Sequence, residues 1–247
     1  MSPLLVSTPL RPADLPLSVG WFSAMIHVMT LDQGAVRIGT AVPERVAPDR
    51  PVAGGHVPDA AEAQALAREL LGDIGTRWSH VQTAGAMAAR VSVLFDEVEA
   101  ALLVAAATLH DVGYAPAIAH TGFHPLDGAV FLRTRGMSER LVSLVAHHSE
   151  ADMLGPAHGV FDLAQRFPRE SSLLADALVY ADMHAAPDGQ IIRAEERLAD
   201  IARRRPNAVE SLRAQRLRAA MTRVGAALSD HVGLHGGPDG ILTPRER

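Results

Sequence analysis

In the stretch DEVEAALLVAAATLHDVG the interior is apolar on every side, and the run Leu102 to Leu109 is followed directly by His110 and Asp111. A helix-type run with no polar face has to be enclosed by other elements. An ionised carboxylate carried into such surroundings is prohibitively unfavourable unless it is paired or holds a cation. A second segment poses the same problem: LLADALVY, Leu173 to Tyr180, runs on into Asp182. No Lys or Arg lies inside either segment to act as partner. A bound cation satisfies both acids and the imidazole together; the alternative is that these helix ends simply reach solvent.

Composition narrows what such a cation site can be built from. The 247 residues include no cysteine and 12 histidines, so disulfides, thiolate ligands and a cysteine nucleophile are excluded. A metal site must then combine imidazoles with carboxylates. Apolar residues make up 48% and aromatics only 4%, a balance that favours packed helices over sheets. Net charge is −5 and no long basic run occurs, so no nucleic-acid partner is expected. Arg203, Arg204 and Arg205, with Arg213, Arg216 and Arg218, read as the solvated face of a C-terminal helix. The start, MSPLLVSTPLRP, lacks the charged and apolar regions of a signal peptide, and Ala100 to Leu109 is too short to span a bilayer. The expectation is a cytoplasmic protein with no membrane association.

Along the chain, residues 1–57 form an irregular N-terminal arm, with a possible short hairpin from Met25 to Val42 around Asp32-Gln33-Gly34. Helical punctuation begins at Pro58. Asp59 caps a helix that stops at Gly72, and a second helix starts near Ser79. A third has acids in its first turn and ends at Gly113. Further helices begin near His124, at Ser138 and at Ser171-Ser172, and residues 194 to about 230 supply one or two more. The fold class expected is all-α: one helical domain over 58–205, the N-terminal arm, and a C-terminal helical extension with a loose tail over 206–247.

The ordered set His80 (in RWSHVQTAGAMAARV), His110-Asp111 (in ATLHDVGY) and Asp182 (in ALVYADMH) resembles the HD superfamily of metal-dependent phosphohydrolases over roughly residues 60 to 190. The stretch HPLDGAVFLRTRGMSERLVSLVAHHSEAD is similar to its counterpart in members that bind two metals. The resemblance implies that His80, His110, Asp111 and Asp182 hold a first ion. Asp111 would bridge to a second, held by His124 and one of His147 and His148. Neighbours on a helix point about 100° apart, so those two cannot be oriented alike, with His148 slightly favoured. One or two divalent ions are expected, and Mn, Fe, Mg and Zn are not distinguished.

Other residues have smaller expected parts. His120 is placed to reach a substrate phosphate or leaving group, a role that could also fall to His147. Asp127, three residues after His124, is placed to orient it. Asp176 and His184 read as surface positions, and His27, His56, His158, His231 and His235 as ordinary. Two features depart from relatives: Tyr114 stands where many phosphohydrolases of the superfamily have Lys, and no GYP tripeptide follows His147-His148. The activity implied is cleavage of a phosphoester or phosphoanhydride by metal-activated water, with Asp111 and His120 as catalytic residues. The expected partner is a small phosphorylated molecule such as a nucleotide. The alternatives are a di-iron oxygenase of the same fold, to which the missing Lys and Tyr114 lend weight, and a non-catalytic nucleotide-binding module.

Overall fold

The computed structural model describes residues 55–204 and 207–232, together with the backbone of 235–236 and 242–243. The hairpin expected between Met25 and Val42 lies outside the described residues. The described chain is all-α: α1 (Ala60–Leu71), α2 (Gly75–Val91), α3 (Glu97–Leu109), α4 (His124–Thr134), α5 (Glu139–His147), a single turn α6 (Leu163–Arg166), α7 (Leu173–Met183), α8 (Ala194–Arg204) and α9 (Ala208–Val232). The extended elements are a two-residue antiparallel pairing of His235–Gly236 with Leu242–Thr243 and two isolated bridges. Among the described residues no helix is long and apolar enough to cross a membrane.

Several helices start where a side chain satisfies an orphan backbone N–H. The Asp59 carboxylate accepts from Glu62 N at 2.8 Å while Glu62 accepts from Asp59 N, a reciprocal capping box. Asp96, Ser138 and Ser172 accept from Glu99, Leu141 and Ala175 in the same way. Two boundaries differ from expectation. Helix α2 begins at Gly75, four residues before Ser79, with no side-chain cap, and its first turn is held by Arg77 N and Trp78 N on Ile74 O. Helix α3 stops at Leu109, and Val112–Tyr114 form a 3-10 turn instead of extending it to Gly113.

Helix α3 is the central element: Leu102, Leu103, Ala105, Ala106, Ala107 and Leu109 are all buried. Helices α1, α2, α5 and α7 pack around it. Small residues permit the closest approach: a methyl group added at Gly85 of α2 would lie 2.6 Å from Thr108 Oγ1 of α3. Helix α9 packs along α7, and its Val224 and Leu228 join the main core. A smaller cluster of Val179, Met183, Ala194, Leu198, Leu217 and Ala220 ties α8 to α7 and α9.

Three polar residues read from sequence as surface are not free on the surface. Arg213 is buried, with Nε donating to Ser149 O at 2.8 Å and Nη1 to Glu210 at 3.0 Å, so α9 turns this arginine inward. His184 is buried with Nδ1 on Tyr180 O, because the chain turns back at Ala185 and covers it. Asp176 is partly buried and pairs with Arg223 of α9.

Candidate metal centre

Four elements carry the polar groups that converge at one end of α3. His80 projects from the middle of α2, His110 and Asp111 from the end of α3, and Asp182 from the last turn of α7. His148 follows α5, and all five are buried. His80 Nδ1 lies 3.1 Å from Ala185 O and His110 Nδ1 2.8 Å from Ala107 O. A carbonyl only accepts, so in both rings Nδ1 carries the proton, and in the neutral ring Nε2 presents a lone pair. These two Nε2 atoms face each other 3.2 Å apart, and Asp182 Oδ1 lies 3.1 Å from the Nε2 of His80 and 3.7 Å from that of His110. Three acceptors thus converge in a buried space, which requires a cation among them.

A proton on His80 satisfies only part of that set, whereas a metal ion satisfies all three. Two ligand atoms about 2.1 Å from one ion and at right angles to each other lie about 3.0 Å apart, close to the separations seen. A second group forms beside the first. His110, Asp111 and His148 present ligand atoms within reach of one ion. His124 Nε2 lies 3.3 Å from Asp111 Oδ1 and 3.2 Å from His148 Nε2. Imidazole with carboxylate suits the harder and borderline divalent ions without selecting one.

The supporting contacts hold these groups in place. Arg77, one turn before His80, donates to Asp111 Oδ2 at 2.9 Å and lies 3.9 Å from the centre of the Tyr114 ring. Tyr114 in turn stacks on His124, with ring centres 3.9 Å apart and planes 17° apart. Ser149 Oγ donates to Asp182 Oδ2, leaving Oδ1 to face the histidines. This contact needs an unusual backbone: Ser149 and Glu150 have φ of 51° and 60°, sparsely populated for residues with a side chain. Arg213 on Ser149 O, and Arg169 and Arg216 on the Glu150 carboxylate, brace the turn.

Burial opposes ionisation of both carboxyls, yet the imidazoles around them outweigh it. His110 and His124 hold Asp111 well below the usual range, and the His80 hydrogen bond and the nearby imidazoles hold Asp182 below it. For His80 burial also opposes charge, but the hydrogen bond to Asp182 prevails and its pKa is raised. His148, fully enclosed and beside His110 and His124, is pushed down to about 3 and is therefore neutral at ordinary pH, the state in which an imidazole can hold a metal ion.

A family model of the HD domain matches residues 65–204, more than half of the chain. The chain belongs to the HD-domain family. No curated protein and no solved structure matches it. Family membership places this HD domain in a superfamily of metal-dependent phosphohydrolases, and its buried His/Asp groups could hold a divalent ion.

The structure brings His80, His110, Asp111, His124, His148 and Asp182 together, and does not bring His147 or His120 to them. His147 Nε2 donates to Phe167 O at 2.7 Å on the other side of α5, as the angular offset between neighbours requires. His120 is exposed, and its backbone N–H donates to Asp127. Asp127 is buried but uses both oxygens on His120 N, Thr121 N and Thr121 Oγ1, so it holds the loop before α4 rather than the His124 ring.

The HD site opens into a cavity of about 150 Å³, whose wall includes Arg77, Arg197, Arg204 and Arg213 beside Tyr114, Phe123 and Ile201. The sequence reading puts Arg204 and Arg213 on a solvated helix face and gives Arg77 and Arg197 no part. The three-residue spacing from Arg77 to His80, one helix face, was a usable signal for the first. The others had none, because only tertiary packing turns their helices toward the cavity.

Proposed function

We propose that this HD domain is a metal-dependent phosphohydrolase, cleaving a phosphoester or phosphoanhydride of a small phosphorylated metabolite such as a nucleotide. The observation that supports this most is the convergence of two groups of buried ligands, His80/His110/Asp182 and His110/Asp111/His148 with His124, at the floor of an arginine-rich cavity. One or two divalent ions held there supply Lewis acidity, lowering the pKa of water and neutralising charge on phosphoryl oxygens.

The protein's own residues prepare that chemistry. Asp111 stands between the two groups, with Oδ1 facing His110, His124 and His148 and Oδ2 facing Arg77 and His80. Arg77 keeps Asp111 oriented. Three backbone carbonyls, of Ala185, Ala107 and Val145, set the tautomers of His80, His110 and His148 so that Nε2 is available. His120 and His147 are outside the cavity lining, so neither is assigned the leaving-group proton.

The test is phosphate release from a panel of phosphomonoesters and nucleotides by Mn²⁺-loaded protein and by Asp111→Ala. The wild type should turn over at least one class, and the variant should fall to background. Turnover by Asp111→Ala at the wild-type rate would refute the reading. Oxygen consumption with reduced iron, in place of phosphate release, would assign the site to oxygenase chemistry.

A further inference from the structure

Arg197 of α8 lies in the wall of the HD cavity, on the same surface as His80, Asp111, His124, His148 and Asp182. Its relative exposure is 9%, and its Nε is a buried donor with no hydrogen-bond partner. Its side chain makes no hydrogen bond or ion pair with any described residue. A buried donor without a partner is destabilising, and a guanidinium does not escape that cost by losing its proton. The position is nonetheless firmly built. Its neighbour Leu198 is 1% exposed in the cluster that ties α8 to α7 and α9, so packing holds Arg197 against the cavity. Its charge is close enough to oppose protonation of His80.

The other guanidinium groups of the wall are already engaged. Arg77 donates to Asp111, Arg213 to Ser149 O and Glu210, and Arg204 to Asp200. Arg197 alone among these four has its donors unclaimed by described residues. A planar fork of N–H donors, its Nε buried and its terminal nitrogens unclaimed beside a metal-ligand cluster, is matched to two oxygens of a phosphoryl group.

We propose that Arg197 is the oxyanion-binding residue of this cavity, gripping phosphoryl oxygens of the small molecule that reaches the metal centre. The ligand class rests on the phosphohydrolase reading, but binding is measurable without turnover. The apolar surfaces of Phe123, Leu154, Met183 and Ile201 complete the wall and would receive the uncharged part of the same molecule.

The experiment is calorimetric titration of the Mn²⁺-loaded full chain with inorganic phosphate, for the wild type, Arg197→Met and Arg197→Lys. Met retains bulk and removes charge; Lys retains charge and removes the fork. Arg197→Met should weaken phosphate binding about 10–100-fold, the range for hydrogen bonds to a charged group, with Arg197→Lys in between. Metal content should be unchanged. Without phosphate, Arg197→Met should unfold at or above the wild-type temperature, because a buried donor without a partner has been removed. A structural arginine would instead leave a variant that unfolds lower.

Phosphate binding equal to wild type in both variants overturns the proposal, as does a wild type that binds no phosphate. So does a fall in unfolding temperature of the same size with and without phosphate. Should Arg197→Met not fold, Arg197→Lys decides by the same titration. Phosphate binding that depends on Arg197, in a protein that hydrolyses no phosphoester, would overturn the enzymatic reading and leave this one standing. Turnover with Arg197-independent phosphate binding would do the reverse.

Discussion

Gly113, in the turn after the His-Asp pair, is where a single methyl group should separate the two halves of the metal centre. A Cβ built there would lie 2.0 Å from His124 O, 2.8 Å from His124 C and 2.7 Å from Gly128 N. All three are backbone atoms of α4, so no side chain can swing aside. Restoring ordinary contact requires the N-terminal end of α4 to retreat by more than about 1 Å, given carbon–heavy-atom contacts of about 3.5 Å. His124 rides on that turn, and its Nε2 is 3.3 Å from Asp111 Oδ1 and 3.2 Å from His148 Nε2. Metal–ligand distances tolerate only about 0.2 Å, so the group containing His124 should open. His80, His110 and Asp182 are on α2, α3 and α7 and should keep their ion. Overpacking of this kind costs about 1–3 kcal/mol, or roughly 4–8 °C in unfolding temperature for the middle of that range. The assay is metal content by plasma mass spectrometry of Gly113→Ala, with thermal unfolding alongside. Two ions in the wild type and one in the variant are expected. Equal metal content and an unshifted unfolding temperature would refute the reasoning that links Gly113 to His124.

Two further perturbations test the surroundings of the ligands. Ser149→Ala removes the hydroxyl on Asp182 while leaving the φ of 51° in place, so metal affinity should fall about 10–100-fold by chelator competition. Unchanged affinity would show that this hydroxyl does not orient Asp182. Acid should also destabilise the metal-free protein through His148. Its folded pKa of about 3 lies below the unfolded value of 6.5, so its contribution is complete above about pH 6.5 and is lost as pH falls toward 3. Between pH 7 and 5 the loss is about 2 kcal/mol, opposed by His80, whose raised pKa favours the folded state at low pH and loses that contribution as pH rises through it. Unfolding temperatures of chelator-treated wild type and His148→Gln across that range check this: the variant should lose less stability on acidification, and parallel curves would count against it.

The helices were legible because their signals are local. Asp59 and Glu62, Asp96, Ser138 and Ser172 cap helices within three residues of themselves, so chemistry and spacing suffice to find them. The start of α2 was not, since Ile74 provides no side-chain cap and partly buried Trp78 packs on the main core. The burial of α3 was legible from its uniform apolarity, and with it the need for a cation near His110 and Asp111. The arginines were not, because a helix rich in Arg reads the same whether one guanidinium faces water or a cavity.

By itself, then, the sequence determined the helical class, the central position of α3 and the order His80, His110-Asp111, Asp182 along the chain. Tertiary structure decided which side chains meet. It placed His148, not His147, beside Asp111, and it turned His120 out and Asp127 onto the loop. It bent Ser149 and Glu150 through positive φ and carried Arg197 and Arg213 inward. The physical reason is range. Caps and helical hydrogen bonds link residues three or four apart, whereas the ring of His80 is oriented by a carbonyl 105 residues away and Asp182 by a hydroxyl 33 residues away.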